Sequence, residues 1–156
     1  MNTDQPDAIT IAHPVFGELR WETGRDVWFT QVRDTTGGWI DVSVSPRDGD
    51  RFACLDRAAD LYTRAVRAER QLLRTAIDAY LLELFNDGWR LSDESEEAEL
   101  TAEEFAARLN FEFIQISPNS PFAVSLGYDA GDMFGGHTVD VKLDRDLRYI
   151  YANLIG

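Results

Sequence analysis

The spacing of apolar residues changes twice along the chain, and these changes favour folds that contain both strands and helices. From residue 15 to residue 45, apolar and polar positions alternate, as in Ile40, Val42 and Val44, which Asp41 and Ser43 separate. A period of two is typical of strands that bury one face. Glycine-containing turns divide this part. The pattern predicts three strands, at residues 15–21, 27–32 and 39–45.

Between residues 52 and 86 the apolar period becomes 3.6, which indicates a helix. A straight helix of this length would measure ~50 Å. It would therefore overhang a domain whose radius of gyration is ~15 Å. Glu69 occupies a position where the stripe should be apolar, so we predict a long helix with an irregularity near Glu69 and an end at Gly88. The predicted buried stripe consists of Leu55, Ala58, Ala59, Tyr62, Val66, Leu73, Ile77, Tyr80 and Leu84.

The last third of the chain returns to strand-like alternation. Thr101 and Glu104 form the pattern of a capping box, which predicts a short helix that runs to Leu109. Strands are then predicted at 109–117, 122–128 and 137–143, with a weaker one at 147–152. Strand groups that are separated by helices indicate an α+β fold. We expect a mainly antiparallel sheet built from two strand groups, three N-terminal and three or four C-terminal, packed against a long helix and a short helix.

The length of 156 residues suits a single domain, 1–156, with a flexible N-terminus at 1–8 and an acidic loop at 90–100. The one cysteine, Cys54, excludes an intrachain disulfide. The N-terminal ten residues lack the pattern of a secretory signal, and the longest apolar run is too short for a membrane span. We therefore predict a cytoplasmic protein with no membrane partner. Its oligomeric state stays open.

The charge of the chain narrows the class of partner. Its 28 acidic residues outnumber 15 basic ones, for a formal net charge of −13. Nucleic acid is disfavoured because phosphates must be neutralised by Lys and Arg, whereas a basic protein would be attracted. Solubility alone is the other explanation of this acidity. The predicted partner-binding acids are Asp93, Glu94, Glu96, Glu97 and Glu99.

Two tryptophans are added to these acids as candidate partner-binding residues. Trp28 and Trp39 lie opposite the more regular apolar faces of their strands. They either pack against the helix layer or form an exposed aromatic patch, and core packing is the expectation that the size of the side chain favours.

One glycine-rich segment could carry chemistry. Residues 128–137 contain Asp129, Asp132 and His137, which could hold a metal ion or act as an acid–base pair. Strand alternation instead places His137 on the core face with Val139, and Asp140 on the opposite face. The glycines suit a tight connection. We therefore expect a structural loop here, and predict no catalytic residue, no metal and no cofactor.

Several segments together resemble a bacterial family, domain of unknown function 2262. They are Val15-Phe16-Gly17-Glu18-Leu19, Trp28-Phe29, Leu84 with Asn86-Asp87 and Trp89, Leu100-Thr101-Ala102-Glu103-Glu104-Phe105, Arg108-Leu109, Gly131-Asp132-Met133-Phe134-Gly135-Gly136-His137 and Ile155-Gly156. The resemblance covers nearly the whole chain. It implies no established activity, although small acidic bacterial domains of this kind are similar in class to immunity proteins that neutralise toxins.

Two functional hypotheses follow. The first is a non-enzymatic protein-binding domain, most concretely an immunity-type inhibitor of a basic bacterial toxin. The alternative is a metal-assisted hydrolase that uses Asp129, Asp132 and His137.

Overall fold

The computed structural model describes residues 9–34, 36–92 and 97–156. In these residues eight strands form one sheet whose spatial order follows the sequence. The strands are β1 Thr10–His13, β2 Gly17–Glu22, β3 Val27–Arg33, β4 Trp39–Val44, β5 Asn110–Ile116, β6 Val124–Asp129, β7 Thr138–Leu143 and β8 Tyr149–Ile155. The α+β class and the mainly antiparallel sheet that the sequence predicted are confirmed, whereas the strand grouping differs, with four strands before the helical segment instead of three.

The sheet consists of two antiparallel meanders that lie side by side. Strands β1 to β4 pair antiparallel, and so do β5 to β8. The two meanders join through β4 and β5, which are parallel, with Val42 opposite Ile114. A parallel pair needs a long crossover, and the helical segment between the two strands supplies it.

The first meander has one strand more than predicted. Strand β1 is short, and its last residue, His13, pairs with Gly17, the first residue of β2. The turn between the two strands ends at Gly17, whose φ is +73°. The predicted strand at 15–21 was therefore wrong at its start, because Val15 and Phe16 belong to this turn. Glycine adopts a positive φ without strain, so the turn can be tight here.

The helical segment is interrupted where the sequence predicted. Helix α1 ends at Arg67, α2 begins at Glu69, and Ala68 between them has φ −100° and ψ 8°. The helices are α1 Leu55–Arg67, α2 Glu69–Ala76, the π-helical turn π1 Ile77–Leu81, α3 Leu82–Leu84, the π-helical turn π2 Phe85–Trp89, α4 Arg90–Ser92 and α5 Ala102–Ala107.

The predicted end of the long helix was wrong. Gly88 lies inside π2, and the helical segment continues to Ser92. The first three residues of the predicted acidic loop at 90–100 are thus helical. The predicted flexible segment 1–8 and residues 93–96 of the loop lie outside the described residues.

The π-helical turns move the buried stripe. In π1 the N–H of Leu82 bonds to the carbonyl of Ile77, and in π2 that of Arg90 bonds to the carbonyl of Phe85, five residues back in each case. A wider turn holds more residues, so the buried series after Ile77 becomes Leu81 and Phe85. Tyr80, 42 % exposed, leaves the predicted stripe and faces outwards, whereas Leu84 is half-buried and still packs against the core.

The helices cover one face of the sheet, and the core lies between the two layers. Its sheet side includes Ile40, Val42, Ile114, Leu126 and Val141, each at most 4 % exposed. On the other face Trp39, Asp41 and Gln115 are exposed. The capping box predicted for the short helix α5 is present, with Thr101 and Glu104 as its two members. No helix in the described part of the chain is long and apolar enough to cross a membrane.

Candidate functional site

The glycine-rich loop inserts an aromatic side chain into the core. Phe134 is fully buried and packs against the rings of Phe85, Phe105 and Trp89, with ring centroids 5.8–6.0 Å apart. The loop reaches this position through successive tight turns, and the φ values of Gly135 and Gly136 are +62° and +85°. Residues with a side chain rarely adopt such values. The glycine pattern therefore has a packing role.

The candidate chemical residues of this loop do not assemble into a metal site. Asp129 accepts a hydrogen bond from the backbone N–H of Gly131, 2.9 Å away, and so closes a local turn. Asp132 is exposed, and the partly buried ring of His137 contacts Trp89 edge to face, with centroids 5.8 Å apart. Across residues 9–34, 36–92 and 97–156, no three His, Cys, Asp or Glu side chains are grouped so that they could hold a metal ion.

The prediction that Asp140 lies opposite the core face is confirmed. Val139 and Val141 are fully buried under the helices, and Asp140 projects from the other face, where its carboxylate lies 3.2 Å from the ammonium of Lys142. His137 precedes β7, so its ring lies beside the helical end and not in the row of core valines.

The structure separates the two candidate tryptophans. Trp28 is fully buried, and its indole N–H donates to the carbonyl of Arg51 at 2.8 Å, so it cannot belong to an exposed patch. Core packing, the expectation that the size of the side chain favoured, is confirmed for Trp28, because β3 directs it to the helix face. Trp39 is 57 % exposed, and the guanidinium of Arg33 stacks 4.4 Å from its ring centre.

Residues 97–100 of the acidic loop are held against the end of the helical segment, at π2 and α4. The side-chain amide of Asn86, which is buried in π2, donates to the carbonyl of Leu100 and accepts from its N–H, both at 2.9 Å. Arg90 adds a bond to the carbonyl of Glu97 at 3.2 Å. Glu97 and Glu99 are exposed, whereas Asp93, Glu94 and Glu96 lie outside the described residues.

The acids that follow this segment serve the short helix. Thr101 donates to and accepts from Glu104, and these hydrogen bonds lower the pKa of Glu104 below its usual range. Glu103 lies 3.1 Å from Arg74. Part of the acidic cluster therefore stabilises local structure, as acids at a helix start commonly do.

A groove lies on the outer side of the helical segment formed by π1, α3 and π2. This helix-end groove has a volume of about 360 Å³ and is lined by Tyr80, Glu83, Leu84, Asp87 and Gly88. Its apolar wall consists of the exposed ring of Tyr80 and the part of Leu84 that the core leaves uncovered. Gly88 contributes no side chain to the lining, so the space beside it stays open.

The groove carries negative charge that is not neutralised locally. Within the described residues, neither Glu83 nor Asp87 has an ion-pair or hydrogen-bond partner. Asp87 follows Asn86, and Glu99 precedes Leu100, so the Asn86–Leu100 hydrogen bonds fasten the acidic loop to the same helical turn that contributes Asp87 to the groove. An apolar wall beside unpaired carboxylates suits the aliphatic stem and charged head of Lys or Arg.

The sequence analysis missed this groove. The pair Glu83 and Asp87, four residues apart, was the available signal, because such residues share a helix face. Assigning Tyr80 and Leu84 to the buried stripe hid the aromatic and apolar part of the same surface.

Asn86→Ala is expected to lower the free energy of unfolding by about 2 kcal/mol, because the buried N–H and carbonyl of Leu100 would lose their partners. The measurement is urea denaturation together with hydrogen exchange at the Leu100 amide, which should become faster. The exposed Asn110→Ala serves as the control and should change stability by no more than ~0.5 kcal/mol. Unchanged exchange at Leu100 in Asn86→Ala would contradict the anchoring role of Asn86.

Comparison with known proteins places the chain in a family. A family model described as uncharacterised protein conserved in bacteria, DUF2262, matches residues 13–154. No curated protein and no solved structure matches the chain significantly. The matched range covers almost all of the 156 residues and includes the helix-end groove and the glycine-rich loop. The chain therefore belongs to the bacterial DUF2262 family of uncharacterised proteins.

Proposed function

We propose that this domain is a non-enzymatic protein-binding module whose partner inserts basic side chains into the helix-end groove. The observation that carries the proposal is the pair of unneutralised carboxylates, Glu83 and Asp87, beside the exposed ring of Tyr80. Glu99, which is exposed in the loop that Asn86 anchors, would add to this negative charge. An aromatic residue among acids also supplies a face for a cation–π contact with Arg or Lys.

The proposal extends to the acids that sequence analysis selected. Asp93, Glu94 and Glu96 belong to the same run as Glu97 and Glu99, and would add to the negative potential. Trp39 is a candidate second contact on the open face of the sheet. The net charge of −13 supports a basic partner in general, because complementary potentials speed association.

In its most concrete form, the proposal is that the partner is a basic bacterial toxin and that this domain is its immunity-type inhibitor in the cytoplasm. This form is supported by the acidic surface and by the family's bacterial distribution. The free thiol of Cys54 also suits a reducing compartment such as the cytoplasm. The metal-assisted hydrolase has no comparable support, since Asp129, Asp132 and His137 are not grouped around a common point.

The experiment compares three forms of the tagged chain as bait in extracts of the source cells. The test variant is Glu83→Gln/Asp87→Asn/Glu99→Gln, and the matched control is Glu18→Gln/Asp26→Asn/Glu112→Gln, which removes the same number of exposed charges elsewhere. A basic protein should be retained by the wild type and the control and lost by the test variant. It should dissociate between about 0.1 M and 1 M salt, where the Debye length falls from ~10 Å to ~3 Å.

The inhibitor form has its own test. Production of the retained protein alone should arrest growth, and co-production of the wild-type domain, but not of the test variant, should relieve the arrest. Retention of the same protein by the test variant would contradict the role of the groove. A retained protein that does not impair growth would leave a protein-binding module but exclude a toxin inhibitor.

A further inference from the structure

The break between α1 and α2 turns a carboxylate towards the sheet. The side chain of Glu69 is 12 % exposed, whereas that of the next residue, Arg70, is 63 % exposed. Carboxylates are seldom buried to this degree unless they are paired or bind something. An uninterrupted helix would keep the apolar stripe continuous here, so the irregularity at Ala68 serves to position Glu69.

The carboxylate of Glu69 is bound by the fully buried phenol of Tyr128. The hydroxyl of Tyr128, on β6, donates to Oε2 of Glu69 at 2.9 Å. Burial, and then the charge of Glu69, raise the pKa of Tyr128 well above its ordinary value, so the phenol remains a donor. The other oxygen, Oε1, forms an ion pair with Nε of Arg70 at 3.5 Å, longer than the usual distance of an N–H···O hydrogen bond. Oε1 therefore keeps capacity to accept a shorter bond from a ligand.

Glu69 lines a cavity with a polar lobe and an apolar lobe. The polar lobe, about 310 Å³, is bordered by Thr36, Arg67, Arg70 and Asn110. The more apolar lobe, about 170 Å³, is bordered by Val32, Arg33, Ile40 and Tyr62. Asp34, Val66, Glu69 and Phe111 border both lobes, so the two lobes lie side by side.

The polar lobe offers charges of both signs. In the described part of the chain the guanidinium of Arg67 has no ion-pair or hydrogen-bond partner. Asp34 stays ionised, because hydrogen bonds from the hydroxyl of Thr36 and from nearby backbone N–H groups lower its pKa. A ligand can thus place an anionic group at Arg67 and a cationic donor at Glu69 and Asp34.

We propose that this cavity binds a small zwitterion with an apolar side chain, of the chemical class of the free aliphatic α-amino acids. The carboxylate would pair with Arg67, the ammonium would donate to Oε1 of Glu69, and the side chain would fill the lobe formed by Val32, Ile40 and Tyr62. A pocket that combines an apolar part with convergent polar groups is a usual form of small-molecule site. The proposal is independent of the helix-end groove, with which the cavity shares no lining residue.

Titration calorimetry on the full chain tests the ligand class. The probes are L-leucine, 4-methylpentanoate, which lacks the ammonium, and 3-methylbutylamine, which lacks the carboxylate. L-leucine is expected to bind with a Kd at or below about 1 mM, and at least about tenfold more tightly than either analogue. Absence of L-leucine binding overturns the proposal, and so does equal affinity for L-leucine and either analogue.

Two substitutions test the location. Glu69→Gln keeps an acceptor for the hydroxyl of Tyr128 and removes the charge, and Arg67→Gln changes an exposed rim residue that the fold does not need. Each is expected to weaken L-leucine binding at least about tenfold, the effect of losing one charged hydrogen bond. Arg64→Gln, one turn earlier on α1 and paired with Asp60, is the control and should bind as the wild type does.

The Arg67→Gln result decides the proposal even if Glu69→Gln fails to fold. Unchanged L-leucine affinity in folded Arg67→Gln overturns the assignment of the carboxylate to this cavity. Equal weakening in Arg64→Gln overturns it as well, because a general effect of charge on α1 would then explain both results.

Discussion

Replacing Phe134 by alanine is expected to lower the free energy of unfolding by about 3–5 kcal/mol, the range for removing a fully buried aromatic ring. Phe134 is fully buried among the rings of Phe85, Phe105 and Trp89. Its removal would leave a cavity between the helical end, α5 and the glycine-rich loop. For a chain of this size the melting temperature should fall by roughly 10 °C.

Two controls separate the packing role of this loop from a chemical one. Asp132→Asn removes an exposed carboxylate of the same loop and should change stability by no more than ~0.5 kcal/mol. Phe122→Ala removes an aromatic ring that is 41 % exposed and should cost far less than Phe134→Ala. Chemical denaturation of the three variants is the measurement. A loss below about 1 kcal/mol for Phe134→Ala would show that the loop does not depend on its aromatic anchor.

Lys142→Met is expected to lower the free energy of unfolding at pH 7 by about 3 kcal/mol, because it leaves a buried carboxylate without its cation. The ammonium of Lys142 lies 3.2 Å from Asp140 and 2.6 Å from the hydroxyl of Ser125, on the open face of the sheet. The side chains of Asp140 and Lys142 are 5 % and 21 % exposed. Removing both charges, in Asp140→Asn/Lys142→Met, should restore most of the lost stability.

The loss in Lys142→Met should depend on pH with a definite sign. Burial raises the pKa of Asp140 above its ordinary value of 3.8, and the Lys142 ammonium opposes this rise. A carboxyl whose pKa is raised on folding favours the folded state at low pH, and this contribution disappears as the pH rises through the folded-state pKa. Without Lys142 that pKa moves further upwards.

The stability difference between wild type and Lys142→Met should therefore be largest near neutral pH and shrink as the pH falls through the raised pKa of Asp140, below which its carboxyl group is protonated. Urea denaturation of both proteins across this range measures it. A difference that stays constant, or that grows as the pH falls, would mean that the loss comes from packing of the Lys142 stem and not from the charge of Asp140.

The segments that carry the family resemblance converge in space. Trp89 from π2, Phe105 from α5, and Phe134 and His137 from the glycine-rich loop contact one another around the ring of Phe134. Asn86 fastens the acidic segment to the same helical end. Much of the family pattern thus describes one packing unit, and the helix-end groove lies on its outer side.

Local patterns were sufficient for the class of fold and for most of its elements. Alternation located seven of the eight strands, the capping box located α5, and the misplaced Glu69 located the break at Ala68. These features depend on short-range periodicity and on hydrogen bonds between residues three or four apart, so the sequence contains them directly.

The contacts between elements that are distant in sequence were decided only by the tertiary structure. The order of residues does not reveal that β4 and β5 pair in parallel, that Trp28 is buried while Trp39 is exposed, or that Tyr128 reaches Glu69. The two π-helical turns belong here as well, since packing of Phe85 and Asn86 against α5 and its neighbours outweighs the regular α-helical period. Amphipathic spacing indicates which residues of one element tend to be buried. The contacts between distant elements decide which of these residues are in fact buried. For this chain the helix-end groove and the Glu69 cavity both arise at such contacts or at the helix irregularities beside them.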